Sequence, residues 1–203
     1  MNRFIAASVA AFISVASAFA AEFGDPAKAQ SIANQICSAC HGADGNSLLP
    51  MNPSLAGQHP EYLFKQLNEF KSGTRNNAVM TGMVAGLTSE DMRNLAAYYA
   101  AQKPAESAAK DKDLIGEGRK LFRGGNIAAG IAACAGCHSP NGAGIPSQFP
   151  RIAGQHSEYV VAQLRAFRSG ERANDANNAM RVVAARLTDR EIAAVAEYLS
   201  GLQ

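Results

Sequence analysis

The chain has 203 residues, a formal net charge of +2, 18% charged and 47% apolar residues, no Trp and four Cys. Neither sign of charge forms a long run, which excludes a nucleic-acid footprint or a basic membrane-coating patch. The length suits one ordinary domain or two small ones.

Met1-Asn2-Arg3 is a short basic start, Phe4 to Ala16 an apolar core, and Ala18-Phe19-Ala20 a small-x-small cleavage site. This pattern predicts a Sec-type signal peptide, residues 1–20, cut between Ala20 and Ala21. The apolar run is shorter than the ~20 residues a membrane span needs. A soluble periplasmic protein is expected.

The next predicted helix, about Pro26 to Ile36, leads into Cys37-Ser38-Ala39-Cys40-His41. A second copy is Cys134-Ala135-Gly136-Cys137-His138, after a helix predicted from about Leu114 to Phe122. C-x-x-C-H is the attachment signature of a c-type haem, in which two thiols add to the vinyl groups and the His ligates iron. A thioredoxin-type pair wants strand-rich surroundings that are missing here. A zinc ribbon wants its Cys pairs ~15–20 residues apart, whereas these begin at 37 and 134. The two motifs use all four Cys and leave none for a disulfide. Two covalent haem c groups are expected, and their attachment outside the cytoplasm fits secretion.

The repeat runs well past the motifs. Leu55-Ala56-Gly57-Gln58-His59-Pro60-Glu61-Tyr62 matches Ile152-Ala153-Gly154-Gln155-His156-Ser157-Glu158-Tyr159 at an offset of 97 residues. Gln66-Leu67, Phe70 and Ser72-Gly73 match Gln163-Leu164, Phe167 and Ser169-Gly170. The second copy then gains three residues, so Met80, Leu87-Thr88 and Tyr98 fall on Met180, Leu187-Thr188 and Tyr198. This is a tandem duplication.

Leu63, Leu67 and Phe70, like Val160, Leu164 and Phe167, recur at helical spacing in a middle helix. Thr88-x-x-Asp91 and Thr188-x-x-Glu191 are capping boxes that open the last helices. Their stripes, Met92, Leu95, Ala96, Tyr99 and Ile192, Val195, Ala196, Leu199, are read as core. Gln102 to Lys112 has linker composition. The expected organisation is domain 1 over 21–103, a linker over 104–112 and domain 2 over 113–203, all-α.

What fills the sixth iron position separates carrier, gas binder and enzyme. A symmetric ligand should recur in both copies. Met80 pairs with Met180, whereas Met83 and Met92 face Val183 and Ile192. The rival pair is His59 and His156, only 18 residues after His41 and His138. The Met pair is favoured, expected in the loop before the last helix; His59 and His156 then read as surface or haem-edge residues. A thioether favours ferrous iron and raises the potential relative to two imidazoles. Pro53 and Pro150 stand where a carbonyl could orient each iron-bound His, or are turn prolines; the residues leave both readings open.

The tandem motifs, the Gly-Gln-His segments, Met80-Thr81-Gly82-Met83, Leu121-Phe122-Arg123-Gly124-Gly125 and Met180-Arg181 resemble the dihaem cytochrome c4 family over essentially the whole chain after residue 20. The resemblance implies two class I cytochrome c folds related by a pseudo-two-fold axis, with haem edges facing across the interface. It implies His41 and Met80 on one iron, His138 and Met180 on the other, with the Pro53 and Pro150 carbonyls holding the histidines. It also implies periplasmic electron transfer from a cytochrome bc complex or other donor to a terminal oxidase, with peripheral association at the membrane surface in some members. The loop Arg75 to Val79 is short for the family. Two competing functions remain: a dihaem peroxidase-type enzyme, for which the chain is short, and a dedicated cytochrome subunit of a dehydrogenase or oxidase. Residues 21–103 hold 6 basic and 7 acidic residues and 104–203 hold 12 and 10, too even to name a partner.

Overall fold

The computed structural model describes residues 23–202; the expected signal peptide lies outside them. Asp25 accepts Ala27 N–H and Pro26 occupies the first turn of α1 (Pro26–Ile32), an arrangement that satisfies or removes orphan donors. The helix widens into a π-helical turn, Ala33–Cys37, and continues as α2 (Ser38–His41). There follow α3 (Pro60–Ser72), α4 (Ala78–Val84) and α5 (Ser89–Ala100). The second copy gives α6 (Lys112–Gly124), α7 (Ala135–His138), α8 (Ser157–Ser169), a short 3-10 turn (Ala176–Asn178), α9 (Ala179–Ala184) and α10 (Asp189–Ser200). Among the described residues, β structure is confined to two isolated bridges. None of the described helices is long and apolar enough to cross a membrane.

Both capping boxes form. Thr88 and Asp91, and Thr188 and Glu191, exchange side-chain and backbone hydrogen bonds at the starts of α5 and α10. These helices present their apolar stripes to the first helix of the same copy, so α1 packs on α5 and α6 on α10. At the second crossing a Cβ on Gly118 would lie 2.0 Å from the Ala194 carbonyl oxygen. Only glycine permits that approach.

Each copy has its own core. One gathers Ala29, Ala33, Leu63, Phe70, Val84, Leu87, Met92, Leu95, Ala96 and Tyr99. The other gathers Leu121, Phe122, Ile131, Val160, Leu164, Leu187, Ile192, Val195, Ala196, Tyr198 and Leu199. A fully buried side chain such as Phe122 or Ile192 contributes about 1.5–3 kcal/mol. Between the cores, residues 103–109 have no regular structure, and Asp111 caps the helix that starts at Lys112. This strap is tied at both ends: Asn46 bonds Lys103 and Ala105, and Glu197 accepts Lys110 and Asp111 N–H.

The two copies meet through polar contacts that repeat under the 97-residue offset. Gln58 bonds the backbone of Arg151, and Gln155 bonds the backbone of Ser54, the equivalent position. Arg75 donates to Tyr159 and Gln163, and Arg172 donates to Tyr62 and Gln66. Each arginine is buried (8% and 9% exposed) and lies 4.5 Å from the ring centroid of its own copy's Phe70 or Phe167. Amides and phenols, rather than carboxylates, receive these hydrogen bonds. The seam therefore has pseudo-two-fold symmetry in its chemistry. An asymmetric addition joins Asn174 to Gln66 and Glu69, and Lys65 to the Asn174 carbonyl, where the second copy has Ala162 and Ala166 in place of Lys65 and Glu69.

Candidate haem-binding sites

Each C-x-x-C-H motif folds as a helical turn. Cys37 ends the π-helical turn, and Ser38 to His41 follow as α2. Cys134 opens α7, with its carbonyl accepting Cys137 N–H and His138 N–H. The spacing thus places two sulfurs and an imidazole on one short stretch of helix. After each turn the chain reverses with a positive φ, at Gly42 (+77°) and Ser139 (+68°).

The two histidines are held alike. His41 Nδ1 donates to the Pro53 carbonyl at 2.8 Å, and His138 Nδ1 donates to the Pro150 carbonyl at 3.0 Å. A ring whose Nδ1 carries the proton keeps its lone pair on Nε2. Burial pushes both imidazoles below their ordinary pKa, although the proline carbonyls pull the other way. Each is a neutral ring with one free donor atom, the form that binds a metal. The first thiol of each motif is also held neutral: burial raises Cys37, and pushes Cys134 up to about 11. Among the described residues no three His, Cys, Asp or Glu side chains gather, so the two Cys pairs do not converge on one ion.

The methionines sort by environment. Met80 and Met180 are partly buried, each packed against the core cluster that also borders Cys37 or Cys134. Met51 and Met83 are 63% and 46% exposed, and Met92 is 1% exposed inside the core. One expectation needs correcting. Met80 and Met180 stand on the short helices α4 and α9, not in loops; Asn77 caps the first by accepting Met80 N–H at 2.9 Å.

His59 and His156, expected at the surface or a haem edge, are both only partly exposed. His156 Nε2 donates across the seam to the Ser47 carbonyl at 2.8 Å, while His59 Nε2 is buried with no partner. The position equivalent to Ser47 is Gly144, whose carbonyl accepts the Ser139 hydroxyl at 2.7 Å. A serine where the first copy has Gly42 breaks the symmetry.

The donor set fits the group the motifs imply. Two thiols on one turn can hold a macrocycle, and a neutral imidazole fixed through Nδ1 can ligate its iron. A thioether bordering the same cluster could supply a soft second ligand. Sequence reasoning missed the role of Tyr62, Gln66, Gln58 and their counterparts. Their signal was present: polar residues recurring in both copies, Gln58 just before a helix and Tyr62 and Gln66 beside its apolar positions.

The family model for cytochrome c matches this chain twice, over residues 26–102 and 116–203. Cytochrome c4 of Thiocapsa roseopersicina is 50% identical over 187 residues, covering 91% of this chain and 96% of that protein. The crystal structure of reduced recombinant cytochrome c4 from Pseudomonas stutzeri superposes with a TM-score of 0.85 at 43% identity, covering 89% of this chain and all of that one. A protein of Thiomonas intermedia named thiosulfate dehydrogenase electron acceptor is 40% identical over 81% of this chain and 77% of its own length.

Proposed function

We propose, for a chain that belongs to the cytochrome c family and within it to the dihaem cytochromes c4, that it is a periplasmic electron carrier rather than an enzyme. The protein carries two covalently bound haem c groups and exchanges electrons with redox protein partners. When bound, each haem supplies a one-electron iron couple. Cys37 and Cys40 would hold the first and Cys134 and Cys137 the second. His41 with Met80, and His138 with Met180, are the proposed ligand pairs, oriented by the Pro53 and Pro150 carbonyls. The proposed units are residues 21–103 and 113–203, joined over 104–112.

The observation that carries this reading is the doubled arrangement of His Nδ1 on a proline carbonyl, with a partly buried Met on the same core. Ligation by both His and Met would leave no open iron position for exogenous ligands, and the packed helices would limit rearrangement on electron exchange. One electron enters and one leaves, with no bond made to a partner. In a respiratory chain the donor is proposed to be a cytochrome bc complex and the acceptor a terminal oxidase, with peripheral membrane association as an option for docking. The dihaem peroxidase reading would need one iron with an exchangeable face. The Thiomonas intermedia relative favours one further reading, acceptance of electrons from a dedicated dehydrogenase.

Spectroelectrochemical titration of the holoprotein tests the proposal. Two one-electron centres are expected, both inert to carbon monoxide when reduced. Rapid stoichiometric binding of carbon monoxide at either centre, or peroxidase turnover, would overturn it. Reduction by a cytochrome bc complex, compared with reduction by a thiosulfate-oxidising dehydrogenase, separates the two donor readings.

A further inference from the structure

The duplicated units differ at one buried position beside a haem-anchoring cysteine. In the register of α5 and α10, Tyr99 of the first unit stands where the second has Leu199. Both are core residues, 3% and 4% exposed. The Tyr99 ring is fixed on several sides. A Cβ on Gly45 would come within 2.7 Å of Tyr99 Cδ1, so the loop after the first motif lies directly against the ring. Tyr98 packs edge-on at a centroid separation of 5.1 Å, and the Tyr99 carbonyl accepts Gly57 N–H at 3.0 Å. The hydroxyl therefore has a set direction.

Tyr99 Oη is buried and has no full hydrogen bond to claim its proton. Cys37 packs against the core cluster that contains Tyr99, and among the neighbouring side chains it bears most on the phenol's titration, ahead of Tyr98 and Asp44. Burial and then Cys37 push the phenol far above its usual pKa, so it remains a proton donor throughout the working pH range. Once Cys37 has formed its thioether, that sulfur carries no proton and can only accept. The two groups are then complementary: one buried donor without a partner, one acceptor with lone pairs. Leu199 offers Cys134 no such donor.

We infer that the Tyr99 hydroxyl donates to the Cys37 thioether sulfur and raises the reduction potential of the first centre, an asymmetry the second unit lacks. This rests on the carrier reading above and deepens it. A donor dipole whose positive end faces a buried centre stabilises the state holding the extra electron, and low local dielectric strengthens the effect. Tyr99 acts as a positioning and tuning residue; it does not ligate iron.

The test is spectroelectrochemical titration of the holoprotein in wild-type and Tyr99→Phe forms. Wild type must first show two one-electron centres; fewer would sink the carrier reading itself, whatever Tyr99→Phe does. Tyr99→Phe keeps the ring and its packing. The first centre should become harder to reduce, its reduced-to-oxidised ratio at fixed applied potential falling by at most about tenfold, the scale of one hydrogen bond. The second centre should not move. The first centre is identified as the one whose ligation signature disappears in Met80→Ala. Two unmoved potentials, equal shifts in both, or a shift confined to the second centre overturn the inference. Should Tyr99→Phe lose its haem, Leu199→Tyr carries the test: a rise confined to the second centre supports the inference, and an unmoved second centre overturns it.

Discussion

Gln58 grips both polar edges of Arg151, donating Nε2–H to its carbonyl at 2.8 Å and accepting its N–H at 2.8 Å. Gln155 does the same to Ser54, at 2.9 Å for both bonds. A side-chain amide matches a backbone amide in shape and polarity, so each glutamine satisfies a peptide of the opposite unit that would otherwise lose water at the seam.

Gln58→Ala should cost about 1–3 kcal/mol, because it leaves a donor and an acceptor at Arg151 unpaired. Gln58→Ala with Gln155→Ala should loosen the units without unfolding either core. Small-angle scattering should report a larger radius of gyration, and protease cleavage between residues 103 and 109 should quicken. An unchanged radius and cleavage rate in the double variant would show that the remaining contacts across the seam suffice to hold it.

Gly118→Ala should destabilise the second unit selectively. The added Cβ would sit 2.0 Å from the Ala194 carbonyl oxygen, so α6 and α10 must separate. Overpacking of this kind costs about 1–3 kcal/mol or more. Gly116→Ala serves as the control, since nothing lies within 4 Å of a Cβ there. Thermal unfolding monitored by circular dichroism should show a loss for Gly118→Ala and no loss for Gly116→Ala.

Met180→Ala should abolish the weak far-red sulfur-to-iron absorption of one ferric centre and leave the other's in place. Met80→Ala should do the same for the other. Met83→Leu should leave both bands, since Met83 is exposed. Retention of both bands in Met180→Ala would reject Met180 as a ligand, whereas absence of one band from the wild type would reopen the case for His156.

Asp175 couples acid stability to the segment before Met180. Burial pushes its carboxyl up, but the Arg181 backbone N–H and guanidinium outweigh this and hold it below its ordinary value of 3.8; the ion pair measures 2.7 Å. A depressed folded pKa means the contribution is fully present above the unfolded pKa and is lost as pH falls through the folded one. Asp175→Asn should therefore be less stable than wild type near neutrality. The difference should shrink below about pH 4. Urea unfolding at neutral and acid pH measures it, and a difference independent of pH would show that charge is not the cause.

The duplication, helix order and haem motifs were legible because they depend on local pattern. C-x-x-C-H spacing is set by a single helical turn, and Thr88/Asp91 and Thr188/Glu191 by a four-residue cap. Other features were only partly legible. Met80 was separable from Met83 by the repeat, but its place on α4 was not, since a seven-residue helix carries too few positions for a clear period. Ser139 in place of Gly42 gave no hint that its hydroxyl would bond the Gly144 carbonyl, nor did the repeat show that His59 Nε2 would be buried without a partner.

Sequence by itself determined two haem-binding helical units in tandem and the residues available to hold each haem, because those properties are written within short stretches of chain. Only the tertiary structure decided that Gln58, Tyr62, Gln66 and Arg75 join their counterparts at the seam, and that Tyr99 lies beside Cys37 where Leu199 stands in the second unit. Such contacts join residues distant along the chain, and the hydrogen-bonding demand of a buried polar group is indifferent to which segment supplies its partner.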